Sequence, residues 1–159
     1  MIVRPAERSD APAIAGIWNG YIRDSVFTFN TTEKTEDGVV ADIAARQDGF
    51  FVAEEAGRVM GFATIFPFRG GPGYAHTVEH TVHLAPDARG RGTGRALMDR
   101  VEEAARRQGA HVLVAGVSGE NAAGVAFHKA IGFIAAGTLP QVGRKFGRWM
   151  DLVLLQKIL

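Results

Sequence analysis

Leu84-Ala-Pro-Asp-Ala-Arg89-Gly90-Arg91-Gly92-Thr93-Gly94-Arg95-Ala-Leu97-Met98 sets three alternating glycines and three arginines between a strand-like run and an apolar helical run. Alternating glycines let the backbone turn tightly and lie close to a ligand. A helix that starts there aims its unpaired N–H groups and positive dipole end at whatever sits in the turn. Arg89, Arg91 and Arg95 add to that field, so the expected ligand is a phosphate or diphosphate group. The Walker lysine and hydroxyl after the last glycine are missing, and the spacing is not that of a dinucleotide fingerprint. Kinase and dehydrogenase readings lose ground accordingly.

Working outward, Thr77-Val-Glu-His-Thr-Val-His-Leu84 reads as the strand that feeds the turn, and the helix behind it should run from about Thr93 to Gln108, with Gly109 as its stop. Upstream, a short strand from Ile2 to Arg4 is closed by Pro5. Ser9-Asp10 offers N-cap oxygens to a helix carrying Ile14, Ile17, Trp18 and Tyr21 and running to about Ile22. Thr35 caps a second helix that ends at Gln47-Asp48-Gly49. Phe50–Glu54 and Val59–Phe66 form a hairpin around Gly57. Downstream, His111–Val117 is a buried strand, Asn121–Ile131 a helix, and Phe133–Leu139 and Trp149–Gln156 the last strands. The order is one of strands interleaved with helices over 1–159, a single domain of mixed α/β (α+β) class with no linker or repeat.

The 159 residues are 47% hydrophobic and 22% charged, which excludes a disordered chain. Cysteine is absent, so a disulfide framework, a thiolate metal site and an acyl-cysteine intermediate are excluded. The net charge of +1 conceals an asymmetry: residues 1–79 carry 7 Lys/Arg against 11 Asp/Glu, residues 80–159 carry 11 against 6. The basic half holds the glycine-rich turn. Its cations surround one helix start instead of forming a long stripe with stacking aromatics, which disfavours nucleic acid. No apolar run is long enough to span a bilayer, no signal-peptide core follows Met1, and a cytoplasmic protein without a membrane partner is expected. His80 and His83 fall on opposite faces of their strand, which argues against a metal site.

Arg89-Gly-Arg-Gly92-Thr-Gly94 resembles the Arg/Gln-x-x-Gly-x-Gly/Ala signature of the Gcn5-related N-acetyltransferases. Asn121-Ala-Ala-Gly-Val-Ala-Phe-His128-Lys-Ala-Ile-Gly132-Phe133 is similar to the family's Asn-x-x-Ala-x-x-x-Tyr-x-x-x-Gly-Phe pattern, with His128 at the tyrosine and Gly124 at the alanine position. Tyr74-Ala-His-Thr-Val-Glu79-His-Thr-Val-His-Leu84 and Val142-Gly-Arg-Lys-Phe-Gly-Arg-Trp149-Met-Asp-Leu resemble the phosphinothricin and methionine sulfoximine acetyltransferase branch. The likeness covers nearly the whole chain. It implies a mostly antiparallel sheet of six to seven strands flanked by about four helices, acetyl-coenzyme A as cosubstrate, no metal, and a homodimer.

The resemblance also implies roles. Glu79 would be the general base, and His128 would orient groups or supply a proton near the sulfur. Val82, His83 and Leu84 would offer main-chain groups to the pantetheine arm and thioester carbonyl, as an added strand does. Arg89, Gly90, Arg91, Gly92, Thr93, Gly94 and Arg95 would wrap the diphosphate, with Asn121 touching the arm. Phe27, Tyr74, Ala75, His76 and Thr77 would shape the acceptor pocket. Ala75 stands where relatives often carry a basic residue, and Arg69, Arg144 or Lys145 could compensate. The implied reaction is acetylation of a small amino acid or analogue on its α-amine, by direct attack in a ternary complex. A different amine (a polyamine, an aminoglycoside or a protein N-terminus) and a non-catalytic acyl-coenzyme A sensor are the alternatives.

Overall fold

In the computed structural model, which describes residues 1–159, seven strands form one sheet. They are β1 (Ile2–Pro5), β2 (Phe50–Glu55), β3 (Arg58–Pro67), β4 (Thr77–Leu84), β5 (Val112–Ser118), β6 (Ile134–Lys145) and β7 (Arg148–Ile158), in spatial order β1-β2-β3-β4-β5-β7-β6. Four helices, α1 (Ala11–Asp24), α2 (Glu36–Arg46), α3 (Thr93–Arg107) and α4 (Ala122–Ala130), cover it. Every neighbouring pair is antiparallel except β4 and β5. This is the expected mixed α/β class and element order.

The central strands are apolar on both sides because both faces are covered. Phe50, Val52 and Phe62 point to α1 and α2, where they bury Ile14, Trp18 and Val39. Phe51, Ala63 and Ile65 point to α3, where they meet Leu97, Met98 and Val101. One strand can therefore present different chemistry to two helical layers.

Two boundaries differ from the sequence reading, each for a local reason. Asp10 does not cap α1: its carboxylate accepts from the Glu7 N–H at 2.7 Å and from Arg4 at 2.8 Å, and α1 continues past Ile22 to Asp24. The last two strands are longer than Phe133–Leu139 and Trp149–Gln156. Pro140 and Gly143 look like breakers, yet β6 is an edge strand, where a missing donor costs nothing. It passes them in a bulge between Leu139 and Gly143, where Gln141 takes φ 56° and its N–H donates to Asp151 at 2.8 Å. Thr35 does cap α2, accepting from the Gly38 N–H at 3.0 Å.

The feature that positions the site is the meeting of β4 and β5. Their pairing covers only Thr77, Val78 and Glu79 against Val112, Leu113 and Val114. Beyond Glu79 each strand continues along its other neighbour, β4 on β3 and β5 on β7, and the two part. A sheet that splits exposes main-chain polar groups in its middle, which must be met by something else.

Candidate active site

The parting of β4 and β5 opens a cavity of about 600 Å³. Its walls come from β4 and β5, the ends of α1 and α4, the turn before α3, and the segment Phe27–Asn30. That volume is typical of a small-molecule site.

The turn supplies one end. Gly92 is the N-cap of α3 at φ 82°, and no side chain caps the helix, so the N–H groups of Thr93, Gly94 and Arg95 are left open. Gly90 and Gly92 both lie in the left-handed region, at φ 72° and 82°, with open space where a Cβ would stand. Gly94 is glycine for another reason: a Cβ there would sit 3.2 Å from the Phe127 ring. A Gly94→Val variant should force the α3 start away from α4 and raise the dissociation constant for an anionic ligand about tenfold, with a smaller rise in Gly94→Ala, as isothermal titration calorimetry would read.

The arginines divide. Arg89, Gly90 and Gly94 line the cavity. Arg89 donates to the Tyr21 hydroxyl at 2.8 Å, and that hydroxyl donates to the Leu84 carbonyl at 2.7 Å. Arg91 is ion-paired with Glu55 at 2.7 Å, and Arg95 reaches the Ala130 carbonyl at 3.4 Å; neither lines the cavity, nor do Gly92 and Thr93. Arg89 and the helix end thus face the cavity directly, while Arg91 stands outside it in an exposed ion pair.

Along β4 the ladder fixes which main-chain groups are free. The Ala85 N–H donates to Met60 O and the Phe68 N–H to Thr77 O, so the odd-numbered residues of β4 spend their backbone groups on β3. The even-numbered ones face the cleft. Val82 therefore offers both its N–H and its carbonyl, and Leu84 its N–H. His83 is corrected on this point: its main chain belongs to the β3 ladder, and what it brings to the cavity is its ring. That ring stacks on Tyr21 at 4.3 Å and meets the Phe62 ring edge at 5.7 Å. Burial, with Arg89 nearby, pushes it down to about 4, so it is neutral at neutral pH.

Glu79 stands where the strands part, half-buried in the cavity wall. Burial holds its carboxyl above the usual carboxylate range, which makes it a stronger base than a surface glutamate. On the opposite face of β4, His80 lies 2.9 Å from His128, nitrogen to nitrogen. Asn121 lines the cavity and caps α4, accepting from the Gly124 N–H at 2.9 Å, which leaves its amide NH₂ free for a ligand. Gly124 replaces the family's alanine because a Cβ there would fall 2.4 Å from Asn121 Nδ2.

Of the residues expected at the acceptor pocket, Phe27 lines the cavity. Tyr74, Ala75, His76 and Thr77 do not. They precede the parting of the strands: the His76 carbonyl receives the His111 and Val112 N–H groups, its ring contacts Gly109 O at 2.8 Å, and Tyr74 is exposed. Arg69 and Arg144 lie over Phe68 and Trp149. Lys145 is buried, donating to Thr28 O at 2.9 Å and Tyr21 O at 3.4 Å, so it fixes the segment that carries Phe27. Trp18, Tyr21 and His80 are site residues that the sequence reading did not assign there. Their signal was helical or strand periodicity, which places a side chain on a face but does not say that the face borders a cavity. No group of three or more His, Asp or Glu is arranged to hold a metal ion, and no helix is long and apolar enough to cross a membrane.

The acetyltransferase (GNAT) family model matches residues 14–133. The chain belongs to that family. It is 40% identical over 159 residues to an L-methionine sulfoximine/L-methionine sulfone acetyltransferase of Salmonella typhimurium, covering 98% of this chain and 93% of the relative. Its fold superimposes with a TM-score of 0.95 on the Salmonella typhimurium acetyltransferase yncA solved with its cofactor acetyl-CoA, at 39% identity over 99% of this chain and 93% of that one. A crystal structure named ribosomal-protein-alanine N-acetyltransferase from Brucella melitensis gives a TM-score of 0.96 at 40% identity, with both chains fully covered.

Proposed function

We propose that this GNAT protein is an acetyl-CoA-dependent N-acetyltransferase acting on the α-amine of a small amino acid or analogue of the methionine sulfoximine, methionine sulfone or phosphinothricin type. The observation that carries the reading is the parting of β4 and β5 at Glu79, with an open helix N-terminus at one end of the cavity and a half-buried carboxylate in its wall. The start of α3 and Arg89 would hold the diphosphate. Val82 would pair with the pantetheine arm as an added strand, with the Asn121 amide beside it. Glu79 would take the proton of the attacking amine, directly or through a water, and the collapse of the tetrahedral adduct would expel the thiolate.

Several further properties belong to this reading. One sheet running from Ile2 to Ile158 supports a single domain over 1–159. Exposed Ile134, Leu139, Val142 and Trp149 on β6 and β7 support a homodimer. The use of acetyl-CoA as cosubstrate supports a place in the cytoplasm.

The Brucella structure's name favours a second acceptor, a protein N-terminus. A cavity closed on one side by Phe27–Asn30, the segment that Lys145 ties down, supports a small acceptor. A thiol-release assay decides. With acetyl-CoA, methionine sulfoximine, methionine sulfone or phosphinothricin should release thiol far faster than an alanine-ended peptide. Release with the peptide alone would overturn the acceptor, and a failure of every amine tested to release thiol, alongside tight acetyl-CoA binding, would make the chain a sensor.

A further inference from the structure

His128 Nδ1 lies 2.7 Å from the Gly124 carbonyl, which can only accept, so the Nδ1 atom carries a proton. Its Nε2 lies 2.9 Å from His80 Nε2, and a contact between two ring nitrogens needs one N–H and one lone pair. With His128 neutral, its Nε2 is the lone pair and His80 supplies the N–H. The remaining nitrogen, His80 Nδ1, is buried with no partner at hydrogen-bond distance, and the Val114 main chain lies near the ring. Both rings sit against Phe133, at 5.6 and 5.2 Å. The chain of bonds therefore runs from His80 through His128 to Gly124.

We propose that His80 is a positioning residue that locks His128 as a neutral, Nδ1-protonated imidazole in the cavity wall. A donor aimed at the Nε2 lone pair opposes its protonation, and burial acts in the same direction. No charge offsets this. Glu79, beside His80, is on the other face of β4, and Lys129, beside His128, is exposed. From the elements packed on α4, Arg95 of α3 reaches Ala130 O, and Lys157 of β7, paired with Glu102 of α3, reaches Ile131 O; both meet the helix beyond His128. His128 then has no free nitrogen: it orients what lies against it and is not a resting source of protons for the leaving thiolate. The proposal rests on the acetyl-transfer reading for its kinetic consequence alone.

Imidazole nitrogen NMR on the full chain tests it without turnover. His128 should carry its proton on Nδ1 and titrate below the ordinary histidine range. In His80→Leu its midpoint should rise by about one unit, and in His80→Asn, whose amide can still donate, it should return toward the parent value. In the thiol-release assay His80→Leu should lose about tenfold or more in kcat with unchanged acetyl-CoA affinity, and gain an acid-side inflection at the raised midpoint. His80→Asn should recover most of that loss. An Nε2 proton on neutral His128, or an identical His128 midpoint in the parent and in both variants, would overturn the assignment. If His80→Leu does not fold, the parent tautomer and the His80→Asn titration still decide. A chain that acetylates nothing would leave the titration intact, so the two readings fail separately.

Discussion

Glu79→Gln should lower kcat about a hundredfold or more while leaving acetyl-CoA affinity unchanged, because the substitution removes the proton acceptor and keeps the shape of the cavity wall. The free enzyme must hold Glu79 as a carboxylate to act, and burial has raised its pKa. The acid limb of kcat/KM in the parent should thus lie above the ordinary glutamate value of about 4.3, and it should vanish from the residual activity of the variant. Stability moves the other way. A carboxyl whose folded pKa is raised favours the folded state below its unfolded pKa and loses that contribution as pH rises through the folded value. Glu79→Gln should therefore melt at a higher temperature than the parent at pH 7.5, with the two curves converging as pH falls toward 4. A variant with the parent's pH–rate profile would remove Glu79 as the base.

The role of Glu79 was legible in the sequence through the family resemblance, which its setting in the strand does not give alone. A glutamate in a run of Thr and Val breaks the local preference of a strand, and such breaks mark either exposure or function. The glycine-rich turn was legible from local signals, since Gly90 and Gly92 are fixed by their own φ angles and α3 begins within three residues of them. Thr35 and Gly38 are another local pair, three residues apart. What the sequence did not disclose is set by contacts between distant segments. The parting of β4 and β5 leaves no mark in either strand, yet it decides that Val82 faces the cavity and that Tyr74 to Thr77 do not. Their nearness to Glu79 along the chain is not nearness across the cleft. His80 shows the limit most clearly: alternation placed it opposite His83, but its partner is 48 residues away on α4. Arg91, expected at the phosphate, is paired in the structure with Glu55, 36 residues upstream, a contact that its own stretch of sequence does not signal.

The protein should lose stability as pH falls from 6.5 toward about 4, a loss that begins above the range where ordinary carboxylates take up protons. His80, His83 and His128 are all held neutral in the fold, and burial is the leading cause each time. In the unfolded chain each would take up a proton near pH 6.5. A group with a depressed folded pKa leaves the unfolded state binding more protons in the window between the two values, so stability falls as pH falls through it. For His83, displaced to about 4, the loss amounts to about 1 kcal/mol at pH 5.5 and about 3 kcal/mol at pH 4. Three such groups together would consume much of the 5–15 kcal/mol that holds an ordinary domain folded. Asp10, whose pKa is lowered against the cost of burial by its bonds to Arg4 and the Glu7 N–H, stabilises the fold at neutral pH and loses that contribution only below the ordinary aspartate value. The two windows are therefore separable. Urea unfolding at pH 7.5, 6.5, 5.5 and 4.5 should give a free energy that climbs with pH across this range. His83→Phe, which keeps an aromatic ring against Tyr21 and removes one titrating group, should flatten the climb by about one proton's share. A flat profile above pH 4.5 would mean that these rings accept protons in the folded state, and would take with it the neutral His80–His128 chain that lines the cavity.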